Sequence, residues 1–565
     1  MGREDFPADP VRDDPGPPRY GPGSVPRRPS VGGAAGRASV PRLPNRTPTP
    51  AAADPAAPLD PPRSWTPGDP APADEEIPPG DSSGIARWKR TVGLSVLAAV
   101  IAALVAVVAV RPGSVDRWLS SAPAVPPIPS ATPEPSPTPV LVAAAGGGSA
   151  PSAAAVRAAI EPLIRATALG SVVNASVVDP LTGAALYQRN PDTKTTPAST
   201  TKLLTAAAVL AARGPAYRLT TRAVAGRTPG EVVLVGGGDP TLAVNAGGLF
   251  PGAARLDQLA AQVKSALGAT KPTRVRIDTS LYTGPLTAPG WSPSDISPGG
   301  QVAAVQSLMT NAGRVAPVHH EVGPDPRYPD PALAAGAAFA KQLRVRAAVT
   351  RGPAPAPPAG PAAPASASAP PTVAPGTLLG TVASPPLLQV TDWMLQQSDN
   401  VIAEAMGRQV ALAAGKPASF SGATEAILAK LQELGLPAGE AVLYDASGLS
   451  RRNAITPSLL TDVLGLAASG THPAVAALFG GLPVAGWSGT LRTRFVTPDP
   501  NQIGQGVVRA KTGSLSGVNA MAGELVTKDG RLLVFAIMAK GGPNPLAARA
   551  ALDRVAARLV SCGCG

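Results

Sequence analysis

The feature that most constrains this chain is an uncharged, apolar run, TVGLSVLAAVIAALVAVVAV, at residues 91–110. A helix of this length is long enough to span the apolar core of a bilayer. Arg87, Lys89 and Arg90 precede the run and place residues 1–84 in the cytoplasm and residues 111–565 outside. A cleaved signal peptide is the alternative, but the run is long for one and begins only at Thr91. We therefore expect a single-pass protein of the cytoplasmic membrane.

The segments on either side of this run differ in composition from the rest of the chain. Residues 1–84 are rich in Pro, Gly, Asp and Arg, and they hold too few apolar residues to offset the entropy cost of ordering, which predicts disorder. Residues 111–150 form a Pro-rich linker. The globular part begins near Ser152, and residues 352–376 within it are of low complexity and predict a surface loop.

The net charge of +12 lies within residues 151–565, because residues 1–150 hold as many acidic as basic residues. Such a domain could bind nucleic acid or adhere to an anionic cell wall, but no Lys/Arg run or aromatic–basic pattern favours a nucleic-acid partner. The two cysteines, Cys562 and Cys564, exclude a disulfide framework or a cysteine-rich metal site. We expect neither a metal nor a cofactor. A Ser-His-Asp mechanism would have to use one of only three histidines, His319, His320 and His472.

Periodicity within residues 151–565 predicts a mixed domain of helices and strands. The predicted helices are 152–168, a buried helix from Ser199, 398–413, 420–435, 456–469 and 546–560. The predicted strands are 171–179, 183–189, 218–237, 273–282, 343–350, 505–512, 519–526 and 531–539.

Ser199-Thr200-Thr201-Lys202 opens the first buried helix. Residues three apart share a helix face, so the Lys202 ammonium would lie beside the Ser199 hydroxyl. A serine hydroxyl is a weak nucleophile until a base takes its proton, and a partly buried lysine with a lowered pKa can be that base. The motif alone is weak, because chance supplies about one Ser-x-x-Lys in this chain and a solvated Lys202 behind a Ser199 N-cap is the simpler interpretation.

Two further motifs follow in the same chain. Ser398-Asp399-Asn400 opens another predicted helix, where Ser398 could relay a proton to a leaving amine and Asn400 could position Lys202. Lys511-Thr512-Gly513-Ser514 ends a predicted strand, and it supplies a cation and hydroxyls suited to a carboxylate beside a glycine that lets a substrate approach. Taken one at a time, the Ser-Asp-Asn motif could be an ordinary helix N-cap and the Lys-Thr-Gly motif a polar strand end.

Ser-x-x-Lys, Ser-Asp-Asn and Lys-Thr-Gly in this order are the signature of class A β-lactamases and penicillin-binding proteins. The chain resembles peptidase family S13, the D-Ala-D-Ala carboxypeptidase/endopeptidases also known as low-mass class C penicillin-binding proteins, over residues 152–560. The resemblance includes the wide separation of Ser199 from Ser398, and these further segments: LVGGGDPTL (234–242), DTSLY…APGW (278–291), YDASGLSRRNAITP (444–457), SGTLRTRF (488–495) and VRAKTGSLSGVNAMAG (508–523).

The resemblance implies a penicillin-binding-protein/β-lactamase-like α/β (α+β) fold, in which an antiparallel sheet is flanked by helices. The catalytic domain would comprise residues 151–224 and 386–565. A β-rich insertion would occupy residues 225–385, with the low-complexity loop 352–376 near its end.

The resemblance also assigns roles in the cleavage of peptidoglycan stem peptides, with β-lactams as covalent inhibitors. Ser199 would be acylated, with Lys202 as its base and with Ser398 and Asn400 assisting proton transfer. Lys511, also counted as catalytic, would bind the terminal carboxylate with Thr512 and Ser514, and Gly513 would let the substrate backbone approach. Asp295 would bind the amino end of a diaminopimelate side chain.

Two alternatives remain open at this stage. A β-lactamase would share the nucleophile, but no Glu-x-x-Leu-Asn-like element or Tyr-x-Asn follows or replaces the second motif. A wall-binding protein with an inactive site would be expected to have lost some of the residues above, and all of them are present.

Overall fold

The computed structural model describes residues 148–320, 323–358 and 373–562. The predicted disordered tail 1–84 and the apolar run 91–110 lie outside these residues, as do most of the linker 111–150 and of the loop 352–376. Within the described ranges, no single helix is both long and apolar enough to cross a membrane. Only a pair bent by 109°, Pro457–Ala468 with Pro473–Gly481, meets the requirement jointly.

The described part alternates between helices and strands. The strands are β1 Val172–Val178, β2 Ala185–Arg189, β3 Thr220–Ala225, β4 Glu231–Val235, β5 Arg274–Asp278, β6 Thr350–Arg351, β7 Leu378–Ala383, β8 Ala441–Val442, β9 Ala454–Ile455, β10 Arg509–Leu515, β11 Val518–Val526 and β12 Leu532–Lys540. The helices are α1 Ala153–Ile164, α2 Thr201–Arg213, α3 Leu256–Leu267, α4 Pro293–Ile296, α5 Pro331–Leu343, α6 Leu387–Gln396, α7 Asn400–Ala413, α8 Phe420–Glu433, α9 Pro457–Ala468, α10 Pro473–Ala476 and α11 Pro545–Val560.

The first sheet has the order β10-β11-β12-β1-β2, and every neighbouring pair is antiparallel. Alternate residues of β12 enter two different cores, as a period of two requires. One set packs with α1 and α11, and the other packs with α2, α7 and α9. This confirms the prediction of an antiparallel sheet flanked by helices, and it leaves β10 as one of the two edge strands.

The second sheet has the order β6-β5-β4-β3-β7 and is covered by α3 and α5. Its first strand in chain order, β3, begins at Thr220 and pairs with both β4 and β7, so this sheet includes residues on both sides of the predicted boundary between residues 224 and 225. The apolar pattern of residues 218–237 covers two strands and the turn between them, because a pattern of period two does not mark where a hairpin reverses.

The strand predicted over residues 343–350 is also wrong, because only Thr350 and Arg351 form a strand there. Leu343 is the last residue of α5, and Arg344 ends that helix in the left-handed conformation at φ 61°. Val345 then donates its N–H to Ala340 O. The small residues of α5 had hidden its helical periodicity.

A buried ion pair joins two strands of the first sheet. Arg531, just before β12, donates from Nε and Nη2 to Asp179 Oδ2 at 2.9 and 2.6 Å, and Asp179 directly follows β1. Asp179→Ala leaves Arg531 buried without its partner, so we expect the free energy of unfolding to fall by about 3–5 kcal/mol. Denaturant unfolding monitored by circular dichroism measures this. The exposed Asp529→Ala is the matched control, and an equal effect of both variants would contradict the prediction.

Candidate active site

Ser199 lies in a single 3-10 turn, Ala198–Thr200, directly before α2. Ala198 has a φ of 49°, which is rare for a residue with a side chain. The Thr200 and Thr201 hydroxyls donate to Pro197 O and Ala198 O at 2.8 and 2.9 Å and hold the turn closed. The N-cap residue of α2 is Thr200, and the Ser199 hydroxyl is bonded to Lys202, so the interpretation of Ser199 as an ordinary N-cap is wrong.

Lys202 lies one turn further on and is 0% exposed. Its Nζ lies 3.0 Å from Ser199 Oγ, and it also donates to Asn400 Oδ1 at 2.6 Å and to Ser447 O at 2.7 Å. Burial lowers the pKa of the Lys202 ammonium to about 8, against the opposing attraction of Asp445 and other buried carboxylates. A usable fraction of Lys202 is therefore neutral near neutral pH and can accept a proton.

The Ser-Asp-Asn motif begins α7 and faces this lysine. Ser398 has a φ of 57°, and Asp399 accepts from Ile402 N at 3.0 Å as the N-cap. Asn400 presents its carbonyl oxygen to Lys202, and its Nδ2 donates to Gln301 O at 2.9 Å. The amide orientation of Asn400 is therefore set from both ends.

The Asp399 carboxylate is held by a residue of segment 225–385, the predicted insertion, which we call the inserted segment. Arg314 places Nη2 2.8 Å from Asp399 Oδ2 and donates from Nε to Asp325 Oδ2 at 2.8 Å. Nearby Arg314 and Arg327 lower the pKa of buried Asp399 to about 2. Asp399 therefore stays ionised and anchors the start of α7.

The Lys-Thr-Gly motif lies on β10, the edge strand beside the Ser199 turn. A Cβ at Gly513 would stand 2.6 Å from Pro197 O, so only glycine lets the strand and the turn approach this closely. Lys511 is buried and donates to Thr512 O at 2.9 Å. Burial and the nearby Lys202 hold the pKa of Lys511 well below its usual value.

The predicted site residues converge on one cavity of about 770 Å³. Its lining includes Ser199, Ser398, Asn400, Thr512, Ser514 and Asp295, while Lys202 and Lys511 are buried behind the wall. Asp295 contributes one carboxylate oxygen to the capping box of α4, accepting from Ser292 N at 2.7 Å. Motifs that lie far apart in the sequence thus meet within one site.

The remaining lining holds more cations than anions: Arg314, Arg327, Arg492, Arg494 and Arg549 stand against Asp325 and Asp399, both of which pair with Arg314. Such a wall favours an anionic ligand. In the part of the chain that the structure describes, no group of three or more His, Cys, Asp or Glu side chains is arranged to hold a metal ion. Cys562 is buried after α11 and is not a free thiol, and Cys564 lies outside the described residues.

Several residues of the site were missed by sequence reasoning. Ser447 and Gln301 act through backbone carbonyls, and every residue has a carbonyl, so no pattern of side chains could reveal them. Arg314 comes from the inserted segment, where it follows no motif. Glu404 had a signal, because it lies four residues after Asn400 and therefore on the same face of α7.

Comparison with known proteins agrees with this geometry. The profile of the D-Ala-D-Ala carboxypeptidase 3 (S13) family matches residues 156–354 and 359–559. Carboxypeptidase DacB of Mycolicibacterium smegmatis is 40% identical over 486 residues, which cover 85% of this chain and 99% of the relative. Carboxypeptidase Rv3627c of Mycobacterium tuberculosis is 39% identical over 492 residues, with the same two coverages.

Among solved structures, penicillin binding protein 4 of Haemophilus influenzae is similar with a TM-score of 0.54 and 22% identity. The similarity covers 71% of this chain and 97% of that chain, which shows that the two share a fold. With the family profile matching most of the chain, the protein belongs to the D-Ala-D-Ala carboxypeptidase 3 (S13) family and is a serine peptidase.

Proposed function

We propose that this protein removes the terminal D-Ala from peptidoglycan stem peptides through an acyl-enzyme at Ser199, and that it binds β-lactams covalently at the same residue. The observation that carries the proposal is the contact of a buried Lys202, 3.0 Å from Ser199 Oγ and with a pKa lowered to about 8. A nucleophile and a base within hydrogen-bond reach form the minimal apparatus of acyl transfer.

The first step is attack by Ser199 Oγ on the carbonyl carbon of the penultimate D-Ala, while neutral Lys202 takes the hydroxyl proton. The developing oxyanion needs donors, and the backbone N–H groups of Ser199 and Ser514 are the candidates. Ala510 donates its N–H to Pro483 O on the outer side of β10. Because N–H groups alternate along a strand, Ser514 N–H points to the same outer side.

Collapse of the tetrahedral intermediate breaks the peptide bond and releases D-Ala, whose amine takes a proton relayed through Ser398. The terminal carboxylate would lie near Thr512, Ser514 and Lys511. Lys511 loses proton affinity through burial, and an arriving carboxylate would restore that affinity, so binding and protonation of Lys511 are coupled. Water then hydrolyses the acyl-enzyme.

We also propose DD-endopeptidase activity on cross-linked stem peptides and a location outside the cytoplasmic membrane. A cavity of about 770 Å³ that extends to Asp295 supports the first proposal, because a cross-link brings a second peptide to the site. The apolar run 91–110 and the basic residues before it support the second, with residues 91–110 as the anchor.

The test is mass spectrometry of muropeptides after incubation with the full-length protein in detergent. We expect loss of the terminal D-Ala from pentapeptides and conversion of 4→3 cross-linked dimers to monomers. A pentapeptide ending in L-Ala is the matched control and should stay intact. Rapid turnover of penicillin with untouched pentapeptides would indicate a β-lactamase, and no reaction on either substrate would indicate an inactive site.

A further inference from the structure

Glu404 is a fully buried carboxylate one helical turn after Asn400 on α7. Its Oε1 accepts from two consecutive backbone N–H groups, those of Ala446 at 3.1 Å and Ser447 at 2.9 Å, and its Oε2 accepts from Ala446 at 3.3 Å. None of the roles assigned above uses this residue. It is nevertheless linked to Lys202 through a single residue, Ser447, whose N–H bonds to Glu404 and whose carbonyl oxygen accepts from Lys202.

The segment that Glu404 holds is bonded to α2 on its other side. Ala446 O accepts from the Thr205 hydroxyl at 2.6 Å, and Ser447 O accepts from Lys202 Nζ at 2.7 Å. The N–H groups of this segment are therefore fixed by α7, while its carbonyls are presented to the helix of the nucleophile. Movement of Ser447 would change the position of an acceptor of Lys202.

The acceptors around Lys202 decide where its lone pair points. A protonated lysine has three N–H donors, and its neutral form has two donors and one lone pair. If the two donors of neutral Lys202 bond to Asn400 Oδ1 and Ser447 O, the lone pair is left to face the Ser199 hydroxyl. A base with only one of these acceptors could turn its lone pair elsewhere.

We infer that Glu404 is a positioning residue, which aims the amine lone pair of Lys202 at Ser199 by fixing Ser447 O and which tunes the charge of Lys202 through its own. Asn400 supplies the first acceptor directly, and Glu404 fixes the second by holding the N–H of the same residue, Ser447. The inference rests on the proposed function, in which Lys202 is the base.

The charges around this pair determine the direction of the electrostatic effect. Glu404 faces Asp445 from the loop and Arg408 from its own helix, with Arg408 Nη1 3.6 Å from Glu404 Oε2. Burial, with Asp445, raises the pKa of Glu404 to about 7. Ionised Glu404 raises the pKa of Lys202, so removing its charge should lower that pKa.

The other charged groups that face Lys202 are Asp445 and Asp399, which also raise its pKa, and Lys511, which is close enough for the two ammonium groups to repel each other. Each of these is retained when Glu404 is replaced. A change in the pH dependence of acylation after that replacement can therefore be assigned to Glu404.

Two variants separate the two effects of Glu404. Glu404→Gln keeps an Oε1 that can accept from both N–H groups but removes the charge, whereas Glu404→Ala removes both. We expect Glu404→Ala to lower the second-order rate of penicillin acylation about 100-fold, the cost of a misplaced base. The acylation rate of Glu404→Gln should stay within about tenfold of the wild-type rate. The acid limb of the Glu404→Gln profile, which is the pH range over which the acylation rate rises, should move about one pH unit lower.

The measurement is the acylation rate of the full chain between pH 5 and pH 10, normalised to the fraction that is labelled at completion. Asp462→Asn is the control, because Asp462 is another carboxylate whose pKa is raised, to about 6, by partial desolvation. It reaches the surface, and its charged neighbours are Glu440 and Asp192. Its acid limb should coincide with that of wild type. A purely structural role would lower the labelled fraction without moving the limb.

Two results would overturn the role of Glu404. One is an acid limb of Glu404→Gln that coincides with that of wild type, and the other is an acylation rate of Glu404→Ala within threefold of the wild-type rate. In both cases the wild-type protein would still be acylated, and the proposed function would stand. A wild-type protein that forms no adduct and releases no D-Ala would instead overturn the proposed function, and with it the inference.

Discussion

Ser199→Ala is expected to abolish the covalent penicillin adduct and to reduce D-Ala release by about 10⁶-fold, as the loss of a nucleophile does in other serine peptidases. The reason is chemical, because no acyl-enzyme can form without the Oγ that lies 3.0 Å from Lys202 Nζ. Substrate can still occupy the cavity, so the loss should fall on kcat and leave KM almost unchanged. Intact-mass spectrometry and a D-Ala release assay measure the two effects.

The structure indicates that this variant remains folded. The Ser199 hydroxyl is bonded to Lys202, and the turn around it is held by the hydroxyls of Thr200 and Thr201. Ser469→Ala, on an exposed serine after α9, is the matched control and should keep full activity. A Ser199→Ala protein that still formed the adduct would show that another residue is the nucleophile.

The sequence was most informative where chemistry depends on side chains at short spacing. Ser199 and Lys202 are separated by one helical turn, so the geometry of a single helix predicts their contact. Two strands of the first sheet were equally predictable, because the apolar residues of β11 and β12 mark a strand pair buried on both faces. Local periodicity is enough for such elements.

The sequence was less informative where backbone atoms or distant segments complete the site. Lys202 is held by Ser447 O, and Asn400 is held by Gln301 O, but a carbonyl leaves no trace in the sequence. Arg314 reaches Asp399 from the inserted segment, far earlier in the chain. Such contacts are set by how the inserted segment packs on α7, and no periodicity encodes that packing.

Lys202→Met is expected to lower the rate of acylation of Ser199 by about 10⁴-fold, the upper range for loss of a general base. In wild type the rate should rise with pH and level off above about 8, because only neutral Lys202 accepts a proton and burial lowers its pKa to about 8. The acid limb at this pH should be absent from the variant. Stopped-flow acylation across this pH range measures both effects.

A second substitution at Lys202 distinguishes a role as proton acceptor from a role as a fixed positive charge. Lys202→Arg keeps a cation at this position, but a guanidinium does not lose its proton in a protein. If Lys202 only stabilised the oxyanion by its charge, Lys202→Arg would retain much of the acylation rate. If Lys202 is the base, both Lys202→Arg and Lys202→Met should lose that rate. Lys194→Met is the matched control, because Lys194 is exposed and donates to Gly439 O at 3.0 Å, away from this cavity.

Lys511 is the rival for the role of base, because burial also lowers its pKa. Geometry separates the two lysines, since Lys202 Nζ lies 3.0 Å from Ser199 Oγ whereas Lys511 Nζ donates to Thr512 O at 2.9 Å. An acid limb that survived in Lys202→Met but vanished in Lys511→Met would therefore reverse the assignment. With Lys202 as the base, Lys511→Met should instead weaken substrate binding and keep an acid limb, because the proton acceptor of Ser199 is still present. That limb should move somewhat above its wild-type position, because the Lys511 ammonium no longer repels that of Lys202.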